Sequence, residues 1–197
     1  MTGVQTCALP ISVNDLSSPY LVGNLTISTT GQTIFGAGGR SVLKLKNSAD
    51  VSMFTVSANY VTIKSLGLDG NKTNQTDTTD VNATCVWSTG VANLTVEDCG
   101  IFNFKRNGIA SSASNEYCQY RNNRISDCDF TGIYNINSGF PLVRAVITGN
   151  QIQNCGQDGI GSVGFQHCTI SNNVIKNCVV AQLSQEALCN YTTITGN

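Results

Sequence analysis

Four segments of the chain can be written under one another with their columns aligned: LTVEDCGIFNFKRNGI from Leu94, CQYRNNRISDCDFTGI from Cys118, AVITGNQIQNCGQDGI from Ala145 and CTISNNVIKNC from Cys168. A partial copy, TTITGN, follows from Thr192. One column reads Asn123, Asn150, Asn173 and Asn197, at steps of 27, 23 and 24 residues, and Cys99 sits 24 residues before the first. Ile125, Ile152 and Ile175 form a second column, and Cys128, Cys155 and Cys178 a third; both repeat the steps of 27 and 23. Gly108, Gly132 and Gly159, each followed by Ile, step by 24 and 27. A period of this size marks a solenoid, in which each repeat is one supersecondary unit.

Several columns that share one irregular set of steps move together, as they would if extra residues entered a loop. Within a copy, apolar or small residues alternate (Cys168 and Ile170), which is the period of a strand and not of a helix. Such strands are only a few residues long. A unit of about 24 residues with three of them cannot bury its inner face alone, but stacked coils place strand over strand at about 4.8 Å. The fold class that follows is all-β, a parallel β-helix with three short strands per coil. Asn tolerates left-handed backbone geometry, so the Asn column is expected at the bend itself, with its side chains hydrogen-bonded along the axis as a ladder.

Upstream the same pattern is looser: TIFGAGG from Thr33, VLKLKN from Val42, and MFTVSANYVTIKSLGLDGN from Met53 to Asn71 read as earlier coils. The polar stretch Lys72 to Thr84 is the longest expected loop. Met1 to Ile11, MTGVQTCALPI, is similar to the translation of a short-read sequencing adapter, and the residue that follows stays in register with it. That segment is therefore set aside as non-native. The division expected is 1–11 adapter-derived, 12–32 an N-terminal remnant with a first strand, and 33–197 a β-helix cut within a repeat at its C-terminus. Without Cys7, eight cysteines remain.

Only 12% of the residues are charged and the net charge is -1, so no basic field exists to attract nucleic acid or anionic lipid. No apolar run approaches the roughly 20 residues of a membrane-spanning helix. Neither nucleic acid nor a membrane is expected as a partner.

From about Thr33 to Asn197 the chain resembles the pectin-lyase-like superfamily of right-handed β-helices. The carriers are FTVSANYVTIKSLGLDGN and the repeated NxIxNC and DGI or NGI phrases. The resemblance is specific for the fold and broad for function: it implies a polysaccharide lyase, a glycoside hydrolase, an epimerase, a phage tailspike or a non-catalytic solenoid. It implies polysaccharide as partner, an extracellular or virion-associated place and, for a tailspike, a homotrimer; it names no cofactor. It also implies that saccharide lies along the outer face of one sheet. By analogy the strands beginning Gly108-Ile109, Gly132-Ile133 and Gly159-Ile160 form that sheet, with Ile109, Ile133 and Ile160 inward and Ala110, Tyr134 and Gly161 outward.

Asp158, in Gln157-Asp158-Gly159-Ile160, is similar to part of the polygalacturonase phrase Asn-Thr-Asp-Gly, although no Asp-Asp pair or Gly-His-Gly follows one coil later. The competing reading of Asp158-Gly159 is a simple turn. Inverting hydrolysis needs two carboxylates about 6.5–9.5 Å apart. Asp129, in the adjacent coil and near the matching loop position, is the candidate partner; the alternative is a pair of solvated loop acids. A uronate lyase would need cations, for which Lys105 and Arg106 are best placed, unless they form only a charged loop tip. Tyr134 is an outward aromatic that either stacks on a sugar ring or covers a neighbouring loop. His167 sits beside the inward Cys168 and so points outward, away from any metal set. The Cys128, Cys155, Cys178 column lacks metal-ligand spacing and reads as small core residues, with adjacent-coil disulfides left open.

Overall fold

The computed structural model of the protein describes residues 19–37, 41–79, 81–136, 139, 141–185 and 189–197. The segment Met1 to Ile11 and Gly38-Gly39 lie outside them. Apart from one 3-10 turn, Lys72–Asn74, the described elements are short strands. They are visited in a fixed order: first, second and third sheet, then the first again one coil higher. Each of these sheets stacks seven strands. The first runs from Tyr20–Val22 to Val174–Lys176 and the third from Thr33–Phe35 to Thr193–Thr195. The second consists of Leu25–Ile27, Phe54–Val56, Val86–Thr89, Ile109–Ser112, Ile133–Asn135, Ile160–Ser162 and Leu183–Gln185. The expected β-helix of three strands per coil is thus present.

All neighbouring strands in these sheets pair parallel, and the sequence columns are the pairing register. Ile101, Ile125, Ile152 and Ile175 lie one over another in the first sheet, as do Ile109, Ile133 and Ile160 in the second. The third sheet stacks Ile63, Val96, Tyr120, Ile147 and Ile170 in the same way. These three inner columns meet along the axis as one buried core. At about 1.5–3 kcal/mol for each buried aliphatic side chain, this core is what makes a three-residue strand stable.

The Asn ladder forms as expected, but not at the left-handed residue. In the bend from third to first sheet the positive φ belongs to Ser65, Asp98, Asn122, Gly149, Asn172 and Gly196, each one position earlier. The next residue then turns inward, and there Asn123, Asn150, Asn173 and Asn197 stack. The Asn150 Oδ1 accepts both the backbone N–H and Nδ2 of Asn123 at 3.0 Å. Its own Nδ2 donates to Asn173 Oδ1 and to the Tyr120 carbonyl, both at 2.9 Å. Every polar atom of a buried amide is thereby satisfied, which is the condition for placing it in a core.

The same device, a left-handed residue followed by an inward one, recurs at the other corners. Asp127, Asn154 and Asn177 precede Cys128, Cys155 and Cys178; Tyr117, Arg144 and His167 precede Cys118, Ala145 and Cys168. His167 accordingly points outward, where its ring stacks on Tyr191 at 5.0 Å and 8°. The eight cysteines among the described residues form no disulfide with one another. Gly108, Gly132 and Gly159 answer to close approach: a Cβ on any of them would stand 2.5 or 2.6 Å from a carbonyl oxygen of the next coil.

Length variation is concentrated beside the second sheet. After the second coil the bend from third to first sheet is always two residues, whereas Asp69 and Val86 are separated by the long loop that opens at Lys72–Asn74. On the other side, the connection from second to third sheet is longer in the coil of Asn123 than in the coils before and after it. It also carries a short fourth sheet, Asn115–Glu116, Leu142–Val143 and Phe165–Gln166, that the column pattern does not reveal.

Candidate saccharide-binding face

The outer face of the second sheet is set by strand alternation. With Ile109, Ile133 and Ile160 inward, the residues after them face out, so that Thr55, Trp87, Ala110, Tyr134, Gly161 and Ser184 form one axial column. Ala110 is fully buried and Trp87 only 6% exposed, so the column is closed at that end. Beyond Tyr134 the column has no side chain at the buried Gly161, and the Asp158 carboxylate and Ser184 hydroxyl fill the space.

The residue two positions before each inward aliphatic forms a second column, Thr84, Asn107, Thr131 and Asp158. The first three are buried and joined end to end: Asn107 Nδ2 donates to Thr84 Oγ1 at 3.4 Å and the Thr131 N–H to Asn107 Oδ1 at 3.3 Å. Asp158 ends the run in the gap left by Gly161. A Cβ on Gly161 would lie 2.8 Å from Asp158 Oδ2 and 3.2 Å from Ser184 Oγ. The Ser184 hydroxyl donates to Asp158 Oδ2 at 2.7 Å. Asp158 Oδ1 and the neighbouring Thr131 Oγ1 are buried polar atoms with no hydrogen-bond partner. An orphaned carboxylate oxygen in a residue 8% exposed costs on the order of 1–3 kcal/mol unless something else meets it.

Asp129 lies elsewhere. It falls four positions before Ile133, stacked over Lys105 and under Gly156, so the two acids occupy different columns and not matching loop positions. Lys72 Nζ donates to Asp129 Oδ1 at 2.8 Å and to the Asp127 carbonyl at 2.8 Å, and Lys105 Nζ stands 3.5 Å from Asp129 Oδ2. Between the two columns Arg106 lies with its guanidinium carbon 3.5 Å from the centroid of the Phe130 ring. Phe130 meets Tyr134 edge-on, at 5.9 Å and 73°. The structure therefore brings Arg106, Tyr134 and Asp158 to one outer strip and turns Lys105 and Asp129 toward each other at its border. Phe130 and Ser184 belong to the same strip and Lys72 joins Lys105 at its border, and none of these three stands among the expected site residues. Ser184 was readable from the Gly161 column, but its coil has Gln182-Leu183 where earlier coils have Gly-Ile, and the phrase that marks the register is lost. Lys72 comes from the long loop, 57 residues from Asp129, and no periodic signal points to it.

A family model described as the right handed beta helix region matches residues 11–175. The chain belongs to this right-handed β-helix family. Solved structures similar to this right-handed β-helix include the catalytic domain of a GH87 α-1,3-glucanase in complex with tetrasaccharides, at a TM-score of 0.62 and 18% identity over 78% of this chain and 34% of that one. The catalytic unit of the thermostable GH87 α-1,3-glucanase from Streptomyces thermodiastaticus strain HF3-3 matches at 0.55 and 14%, over 89% and 40%. The Dettilon tailspike protein matches at 0.57 and 14%, over 86% and 40%. The right-handed β-helix thus spans between a third and two fifths of the length of these proteins, and the likeness is one of fold. No curated protein matches the sequence.

Proposed function

We propose that the outer face of the second sheet binds polysaccharide and is part of a polysaccharide-cleaving site, in a protein that is secreted or carried on a virion. The observation that carries this reading is Asp158: a carboxylate seated where Gly161, the register partner of Tyr134, has no side chain, with one oxygen fixed by Ser184 and the other without a partner. A sugar offers an apolar ring face for the aromatic, and hydroxyl donors for the carboxylate once its buried Oδ1 is uncovered. Asp158 is the first candidate catalytic carboxylate and Asp129 the second, with Lys105, Arg106 and Tyr134 lining the bound chain. Variable loops on both edges of this sheet support it as the working face. The solved neighbours support the substrate class, since the glucanases are named for a polysaccharide and one holds tetrasaccharides.

A binding-only solenoid is the second reading, and the ion pairs that commit Asp129 to Lys72 and Lys105 favour it. One experiment separates the two. The complete protein is incubated with neutral and acidic polysaccharides, and reducing ends, unsaturated products and retention on the insoluble polymer are measured. Cleavage lost in Asp158→Asn supports the enzyme; retention without cleavage, lost in Tyr134→Ala, supports binding alone. Neither cleavage nor retention on any polymer overturns both.

A further inference from the structure

Two lysines border the candidate face, and one acid takes both. Lys72 reaches Asp129 Oδ1 and Lys105 faces Asp129 Oδ2, while Arg106, the next cation along the strip, is laid flat on Phe130. A glycan of uronate units needs donors or cations for each carboxylate it brings. On this strip it would also approach Asp158, a second carboxylate, whose Oδ2 accepts from Ser184 and which offers a uronate group no donor. A neutral sugar brings hydroxyls and no carboxylate that must be paired.

We infer, resting on the saccharide reading above, that the face selects uncharged glycans, and that Asp129 sets this selectivity by occupying the two lysines a uronate would otherwise pair with. Asp129 is then a specificity-determining residue in addition to its place as second candidate carboxylate. Its surroundings leave the ion pairs open to an incoming chain, since its side chain is 40% exposed and the column continues into Gly156, which has no side chain to shield them.

The test is a binding titration of the chain with nigerotetraose, cellohexaose and mannohexaose as neutral probes and hexagalacturonate as the anionic one, at low and at physiological salt. The wild-type chain is expected to bind a neutral probe with the same affinity at both salts and to leave hexagalacturonate unbound. Asp129→Asn is expected to gain hexagalacturonate binding by about tenfold or more at low salt, with the gain screened away as salt rises. Adding Lys72→Gln and Lys105→Gln to Asp129→Asn removes the gain. Hexagalacturonate bound by the wild-type chain and lost in Tyr134→Ala overturns the selectivity, and an Asp129→Asn variant that gains nothing overturns the role of Asp129. Binding of any probe that Tyr134→Ala and Asp158→Asn both leave untouched, or no binding of any probe, overturns the face itself.

Discussion

Ser184 and Asp158 lie 26 residues apart in sequence and 2.7 Å apart across adjacent coils, and their hydrogen bond exists because Gly161 between them has no side chain. The smallest probe of this arrangement is Gly161→Ala. The new Cβ would stand 2.8 Å from Asp158 Oδ2, so the carboxylate must move or lose Ser184. Saccharide affinity is expected to fall about tenfold or more, while thermal unfolding shifts by only a few degrees, because the atoms in the way belong to the side chains of Asp158 and Ser184 and not to backbone. Equal affinity in a titration of this variant would separate Asp158 from the site.

Asn150→Ala removes the middle rung of the ladder. It strands two donors of Asn123, removes one of the two donors to Asn173 Oδ1 while the backbone N–H of residue 150 stays, and opens a small void. A loss of about 2–4 kcal/mol is expected in denaturant unfolding, from unsatisfied buried groups. Asn197→Ala, on the last and exposed rung, is expected to cost less than half as much.

Gly159→Ala and Gly100→Ala form a matched pair. At Gly159 a Cβ would stand 2.1 Å from Ile175 Cγ2 and 2.6 Å from the Gln182 carbonyl, so two coils must separate; about 3 kcal/mol or more is expected to be lost. At Gly100 nothing lies within 4 Å, and the change is expected to be neutral within about 0.5 kcal/mol. Melting temperatures of the two variants, measured side by side, check whether the glycine column is there for coil contact.

Burial pushes the thiols of Cys99 and Cys118 up to about 11. In the unfolded chain they ionise near the ordinary value of about 8.5. Between these values the fold keeps protons that the unfolded chain has released. Stability from these groups is therefore complete below about pH 8.5 and declines as pH rises toward 11, by at most about 1.4 kcal/mol per pH unit for each thiol. Denaturant titrations at about pH 8, below this window, and about pH 10, within it, should show the lower stability at the higher pH, and Cys99→Ala with Cys118→Ala should make that dependence shallower.

The fold was legible because a stacked coil writes its pairing register directly into the spacing of Ile125, Ile152 and Ile175. The ladder was legible for the same reason. Its bend was displaced by one residue, because the position that needs left-handed geometry accepts Asp98, Gly149 or Asn172 indifferently, while the inward position takes an apolar side chain, as at Leu66, or an amide whose hydrogen bonds are met within the ladder. The site was legible in part. Asp158, Tyr134 and Arg106 come from the repeat and share a strip, whereas the relation of Asp129 to Asp158 was misjudged by two positions of a loop whose columns are mixed in type. Lys72 depends on a contact across 57 residues that no local pattern records.

The two-residue bends and the ladder hold the axial rise constant whatever the loops do. The loop after Asp69 and the connection after Asn135 can therefore lengthen or shorten without disturbing a single inner column. A lineage of such chains has a mechanical spine under strong selection and, along one side of it, a margin free to drift. New specificities would be written in that margin by insertion and deletion, and two relatives would then differ in what they grip long before they differ in shape.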